Sequence, residues 1–191
     1  MEEKYKNIHE DIISRCLAGD RYAQSELYRL YSKAMFNVCY RITNDRDDAE
    51  DVLQDSFVSA FKNLSSYSGT ASFGAWLKRI VINKSLNFIK KNKVEVVPIE
   101  DHDRYAVDDY KEETEFTHTV DEVKSALLAL PDGYRVVFSL YLLEGYDHRE
   151  IAEILDISES TSKSQFNRSK KKLREILNKE GNYEGQFGTT G

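Results

Sequence analysis

Cysteine, proline and tryptophan are scarce in this 191-residue chain, with two, two and one occurrences. Cys16 and Cys39 stand apart among apolar residues. They lack the clustering of a zinc site or a disulfide framework, and a thiol in such surroundings packs as a small hydrophobe. The four histidines, His9, His102, His118 and His148, show no ligand spacing either. No run approaches the roughly 20 apolar residues that a membrane span requires. The opening Met1-Glu2-Glu3-Lys4 is acidic where a secretory signal would be basic and then apolar. A cytoplasmic protein without membrane insertion is therefore expected. The chain also lacks a phosphate-binding loop, metal-ligand spacing and a nucleophile beside a base, so neither catalysis nor a metal or cofactor is expected.

Few prolines and few alternating apolar–polar runs leave an all-α protein as the expectation. The net charge of −6 argues at first against nucleic acid, but it averages over a strong segregation. Residues 65–93 hold six basic side chains (Lys78, Arg79, Lys84, Lys90, Lys91, Lys93) and no acidic one. Residues 163–174 again hold six (Lys163, Arg168, Lys170, Lys171, Lys172, Arg174) and no acidic one. Between these blocks, residues 95–122 carry eleven acidic residues against two basic ones. Such asymmetry within one chain says more about anionic partners than the net charge does.

Apolar spacing predicts two small helical domains. In the first, a short helix bears Ile8, Ile12, Ile13 and Leu17. A longer one follows Gly19-Asp20, with Ala23, Leu27, Leu30, Ala34, Val38 and Ile42 on one face. A third begins at residues 44–48, whose carboxylates suit a helix N-terminus, and carries Ala49, Val52, Leu53, Phe57, Ala60, Phe61 and Leu64. A small-residue loop at 65–72 leads to a fourth bearing Phe73, Trp76, Leu77, Ile80, Val81 and Phe88. This domain is expected to span residues 1–93. Residues 94–119 read as an acidic flexible linker. The second domain, 120–179, opens with a stripe of Val120, Val123, Leu127 and Leu130 stopped by Pro131. A helix through Val136, Val137, Leu140 and Tyr141 then runs to Gly145. Residues 180–191, rich in glycine and polar residues, are expected to form a disordered tail.

From His148 to Arg168 a short helix with a capping-box start, a three-residue turn and a basic helix follow one another. That is the helix-turn-helix layout, whose second helix enters the major groove of DNA. Ala152 permits close approach of the two helices, and Ile151, Leu155 and Ile157 can form the core between them. Lys163, Ser164, Gln165, Asn167 and Arg168 are left to face base edges and phosphates. Two residues depart from the usual pattern. Asp156 replaces the glycine that often supplies a left-handed turn. Ser162 replaces a branched apolar residue, an expected loss on the order of 1–2 kcal/mol of packing.

Together these segments resemble the extracytoplasmic-function sigma factors. Residues 41–57, Arg-Ile-Thr-Asn-Asp-Arg-Asp-Asp-Ala-Glu-Asp-Val-Leu-Gln-Asp-Ser-Phe, are similar to the family's polymerase-docking helix. Phe73-Gly74-Ala75-Trp76-Leu77-Lys78-Arg79-Ile80, followed by Asn83, resembles the stretch that handles melted promoter DNA. Residues 130–173 are similar to the family's fourth region. The resemblance implies that Asp48, Asp51, Gln54 and Asp55 dock on a coiled coil of core RNA polymerase. It implies that the 65–72 loop, with Asn83 and Asn87, reads the proximal promoter element as single strand, while Lys78, Arg79, Lys84, Lys90 and Lys91 follow phosphates. Tyr67 could stack on a base, whereas Phe73 and Trp76 lie on the apolar stripe and are expected to pack. Lys163, Ser164, Gln165 and Asn167 would face the distal element, with Arg168, Lys171 and Lys172 on its backbone. An anti-sigma factor is a further partner that the resemblance implies. A helix-turn-helix regulator acting without polymerase would explain the second domain alone, leaving the 48–57 helix and the basic 78–93 block without a purpose.

Overall fold

The structure is a computed structural model that describes residues 8–92 and 118–184, with side chains described as far as residue 179. The linker read at 94–119, except for its last two residues, lies outside the described residues. Among those described the regular structure is helical throughout, and the chain divides near residue 95 into two compact units.

The first unit comprises α1 (Glu10–Leu17), α2 (Arg21–Thr43), α3 (Arg46–Lys62), a 3-10 turn (Leu64–Ser66) and α4 (Phe73–Lys91). Each long helix starts where a short polar side chain can satisfy an orphan N–H. Asp20 accepts from the N–H groups of Tyr22 and Ala23, Asp45 from Asp48, and Ser72 from Ala75. The Arg15 guanidinium also binds Asp20 and holds its carboxyl below the ordinary value. α2 ends on Asn44 in the left-handed conformation, φ 59°. Helices α2, α3 and α4 pack mutually, and α1 lies on α2.

Their shared core contains Leu27, Ile42, Phe57, Phe73, Leu77, Val81 and Ile82. Each such side chain contributes about 1.5–3 kcal/mol on burial. Buried Ser56 and Ser85 return their hydroxyls to Val52 and Val81 carbonyls of their own helices, which satisfies them inside the core. Gly74 stands where a Cβ would come 3.2 Å from the Tyr31 ring. Both cysteines are buried and unpaired, and burial raises the Cys39 thiol to about 11. The apolar stripe was read too broadly at Ile8, Leu17 and Leu30, which face solvent.

The second unit comprises α5 (Val120–Leu128), α6 (Asp132–Phe138), a π-helical turn (Ser139–Leu143), α7 (His148–Leu155) and α8 (Glu159–Glu184). Capping boxes open α5 at Thr119/Glu122 and α7 at Asp147/Glu150. The helix expected to run evenly to Gly145 instead widens at residue 139 and closes on Gly145 with φ +79°. α5, α6 and α7 each pack against α8. Arg135 is the bulkiest wholly enclosed side chain, 1% exposed. It donates to the Leu130 carbonyl at 3.0 Å and pairs with Asp132, which ties the Pro131 turn to α6. α8 continues to Glu184, beyond the point at which residues 180–191 were expected to become a disordered tail. Among the described residues no helix is long and apolar enough to cross a membrane.

Candidate nucleic-acid interface

Within the second unit, α7 and α8 build the helix-turn-helix from their sequence upward. α7 stops because Asp156 takes the left-handed conformation, φ 58°, in place of glycine. Ser158 then caps α8, its hydroxyl accepting from the Thr161 N–H at 3.0 Å. Ile151 and Leu155 of α7 are buried, as are Phe166, Leu173 and Leu177 of α8. Seating that face leaves Lys163, Ser164, Asn167 and Lys171 exposed, with Arg168 and Lys172 partly so.

Gln165 is different. It is only 4% exposed, and its Oε1 has no hydrogen-bond partner among the described residues. Residues 162, 165, 166 and 169 are the inward face of α8, so helical periodicity separates Gln165 from the other residues expected to face DNA.

Several of the exposed polar groups already have local partners. Lys163 Nζ lies 2.6 Å from Glu159, which holds that carboxyl below its ordinary value. Lys172 pairs with Glu175. The Ser164 hydroxyl donates to the Thr161 carbonyl at 2.9 Å, so outward it presents lone pairs. Lys170 sits over the Phe166 ring at 4.9 Å.

Ser162 does not leave the gap expected of it. It is fully enclosed, and its hydroxyl meets His148 Nδ1 at 2.9 Å, a polar contact in place of the hydrocarbon packing.

In the first unit α4 presents Arg79, Asn83, Asn87 and Lys90 at intervals of three or four, all exposed and therefore on one face. Lys91 is exposed beside them, and Lys78 is half-buried. Lys84 lies 3.9 Å from Asp55 of α3, which brings one residue nominated for DNA and one nominated for polymerase together.

Ahead of α4 the 65–72 loop is organised by Tyr67. Its ring packs on Phe73 and Trp76, with centroids 5.6 and 5.5 Å away, and its hydroxyl donates to the Ala71 carbonyl at 2.7 Å. The ring that was read as a stacking platform is thus in contact with the unit's own aromatics. Phe73 is in the core, as its place on the stripe implies.

On α3, Asp51, Gln54 and Asp55 are exposed along one stripe, with Asp48 half-buried at its start. Partial burial, and then the carboxylates of Asp45, Asp51 and Asp47, push the Asp48 carboxyl above its ordinary value. Two features here went unread in the sequence. Val58, 51% exposed, continues the stripe one turn on. An open groove of about 270 Å³ is lined by Tyr28, Phe36 and Leu53 together with Gln54 of the stripe. The signal for Val58 was available, because it falls four and seven residues after Gln54 and Asp51 and off the apolar stripe. Among the described residues, no three His, Cys, Asp or Glu side chains are grouped to hold a metal ion.

These two surfaces coincide with two conserved-family regions. Residues 27–94 match Sigma-70 region 2, and residues 121–173 match Sigma-70 region 4. The ECF RNA polymerase sigma factor SigM of Mycobacterium tuberculosis (strain H37Rv) is 29% identical over 91% of this chain and 87% of its own length. SigW of Bacillus subtilis (strain 168), also an ECF RNA polymerase sigma factor, is 29% identical over 86% of this chain and 94% of its own.

Among solved structures, RpoE in complex with the anti-sigma factor NepR from Bartonella quintana aligns with a TM-score of 0.55 and 23% identity. It covers 81% of this chain and 96% of that one. CnrH in complex with the cytosolic domain of CnrY aligns with a TM-score of 0.51 and 22% identity, covering 87% and 95%. These structural likenesses bear on the fold. With both Sigma-70 regions present in order over more than half of its length, and ECF factors matching nearly all of it, the chain belongs to the ECF group of RNA polymerase sigma factors.

Proposed function

We propose that this sigma factor divides promoter recognition between its two units, and that neither performs catalysis. Residues 1–93 dock on core RNA polymerase and handle the proximal (−10) element. Residues 94–119 are the linker, and 120–179 read the distal (−35) element. The observation that carries this reading is the pair of exposed basic faces, on α4 and α8, each within one Sigma-70 region.

Docking uses Asp48, Asp51, Gln54 and Asp55, with Val58 adding an apolar contact at the end of the stripe. Asn83 and Asn87 read bases of the melted strand, while Lys78, Arg79, Lys84, Lys90 and Lys91 track its phosphates. The role of Tyr67 is to shape the loop that receives the strand, in place of the base stacking first assigned to it. On α8, Lys163, Ser164 and Asn167 face bases in the major groove of duplex DNA, and Arg168, Lys171 and Lys172 lie on the backbone.

Its setting is the cytoplasm, its partners are core polymerase and promoter DNA, and no cofactor takes part. An anti-sigma factor is a further partner in this reading, supported by the similarly folded RpoE, which is solved in complex with the anti-sigma factor NepR.

Replacing Asp51 and Gln54 together by Lys tests the docking face. Both project from the exposed side of α3, so circular dichroism should be unchanged while co-purification with core polymerase is lost. Undiminished co-purification would place the interface elsewhere.

A further inference from the structure

Glu159 opens α8 directly after its Ser158 cap, at the end of the helix that this motif directs into the major groove. It is the only acidic residue from 159 to 174, a stretch that carries six basic ones. DNA phosphates repel a carboxylate, so a glutamate at this end of a reading helix needs a compensating partner. Lys163, one turn on, supplies it. Its ammonium lies 2.6 Å from the carboxylate, and the two side chains are 57% and 51% exposed. The hydrogen bond from Lys163 lowers the Glu159 carboxyl below its ordinary value, so it is ionised at neutral pH. Lys163 belongs to the base-facing set, and the pairing brings Glu159 to the same base edge.

The two groups have fixed and opposite roles. An ionised carboxylate only accepts hydrogen bonds, and an ammonium only donates them. In the major groove guanine N7 and O6 and thymine O4 accept, whereas cytosine N4 and adenine N6 donate. A lysine by itself is drawn to guanine. A carboxylate beside it is repelled by the guanine and thymine acceptors and is satisfied by an amino group. Every base pair holds one such amino group in this groove, so the Glu159–Lys163 pair can read which strand carries it.

We propose that Glu159 is a specificity-determining residue of the distal-element reader, its carboxylate selecting cytosine or adenine on one strand while Lys163 donates to a neighbouring acceptor. The proposal rests on the reading of α8 as the DNA-recognition helix. Glu159 thereby turns Lys163 from a binder of phosphate or guanine into half of a base reader.

The test uses holoenzyme assembled from the full chain and core polymerase, which selects duplexes from a random library and is then titrated with single-base variants of the selected duplex. The parent should show one position in the distal element at which cytosine or adenine on one strand binds about tenfold better than guanine or thymine. Glu159→Gln keeps the size of the side chain, but its amide both donates and accepts, so the preference at that position should disappear. Glu159→Ala releases Lys163, so the preference there should move to guanine. The other positions of the element should keep the parent's preferences in both variants. A glutamate that only stabilised the helix, through the macrodipole and the i,i+4 pair, would act differently. Its replacement would lower the unfolding midpoint and weaken binding to every sequence alike. That result, or a selected sequence unchanged in both variants, overturns the assignment of Glu159 and leaves α8 as the DNA reader. A parent holoenzyme that selects no duplex overturns the reading of α8 itself, and the role of Glu159 with it.

Discussion

Arg135→Met keeps most of the hydrocarbon stem of the most enclosed charged side chain in the second unit and removes its guanidinium. The donation to the buried Leu130 carbonyl at 3.0 Å and the pair with Asp132 are both lost. A hydrogen bond to a charged group contributes about 1.5–3 kcal/mol. Asp132 keeps a third of its side-chain surface in water, so it is rehydrated, and the larger penalty of an orphaned buried charge does not apply. The expected loss is therefore about 2–4 kcal/mol, against about 3–9 kcal/mol of total stability for a unit of this size. Trp76, the sole tryptophan, belongs to the first unit. In a urea titration its fluorescence reports that unit alone, while far-ultraviolet circular dichroism reports both. Arg135→Met should move part of the dichroism transition to urea lower by about 1 M or more and leave the tryptophan transition in place. An equal shift of both signals would refute the independence of the units. A shift in neither would refute the structural role of Arg135.

Asp156→Gly relieves a left-handed backbone at φ 58° and should stabilise the second unit by about 0.5–1 kcal/mol in the same titration; a lower midpoint would contradict this. Arg168→Ala should weaken holoenzyme binding on all promoters alike and reduce the slope of log affinity against log salt by about 0.9. A change confined to some promoters would make Arg168 a base reader. Asn83→Ala should weaken binding to the single-stranded proximal element and leave binding to the distal duplex unchanged; unaltered single-strand affinity would make the amide structural.

The helices were legible because an apolar stripe follows a capping or acidic start, as at Asp20, at residues 44–48 and at Asp147. Asp156 was legible from the helix-turn-helix layout, which places a left-handed residue there, a conformation that Asp tolerates. Gln165 was misread because its polarity outweighed its place on the helix, although Phe166 and Ser162 beside it mark the inward face. Ser162 was read as missing hydrocarbon because its partner, His148, is fourteen residues away and belongs to another helix. Tyr67 shows the same limit: a ring's partners depend on how α4 and its preceding loop pack, and composition does not specify that. The π-helical turn at Ser139–Leu143 inserts a wider turn into an otherwise regular pattern, which periodicity reads straight through.

Run-off transcription with purified core polymerase on a promoter library tests the central claim most directly. Core enzyme alone should give no promoter-specific products. Addition of this chain should give discrete start sites on a subset of templates, and the Asp51/Gln54 double Lys variant should abolish them. If the chain produced no specific initiation, and by itself bound promoter duplex tightly and with sequence preference, the account of it as a polymerase-borne initiation factor would be contradicted.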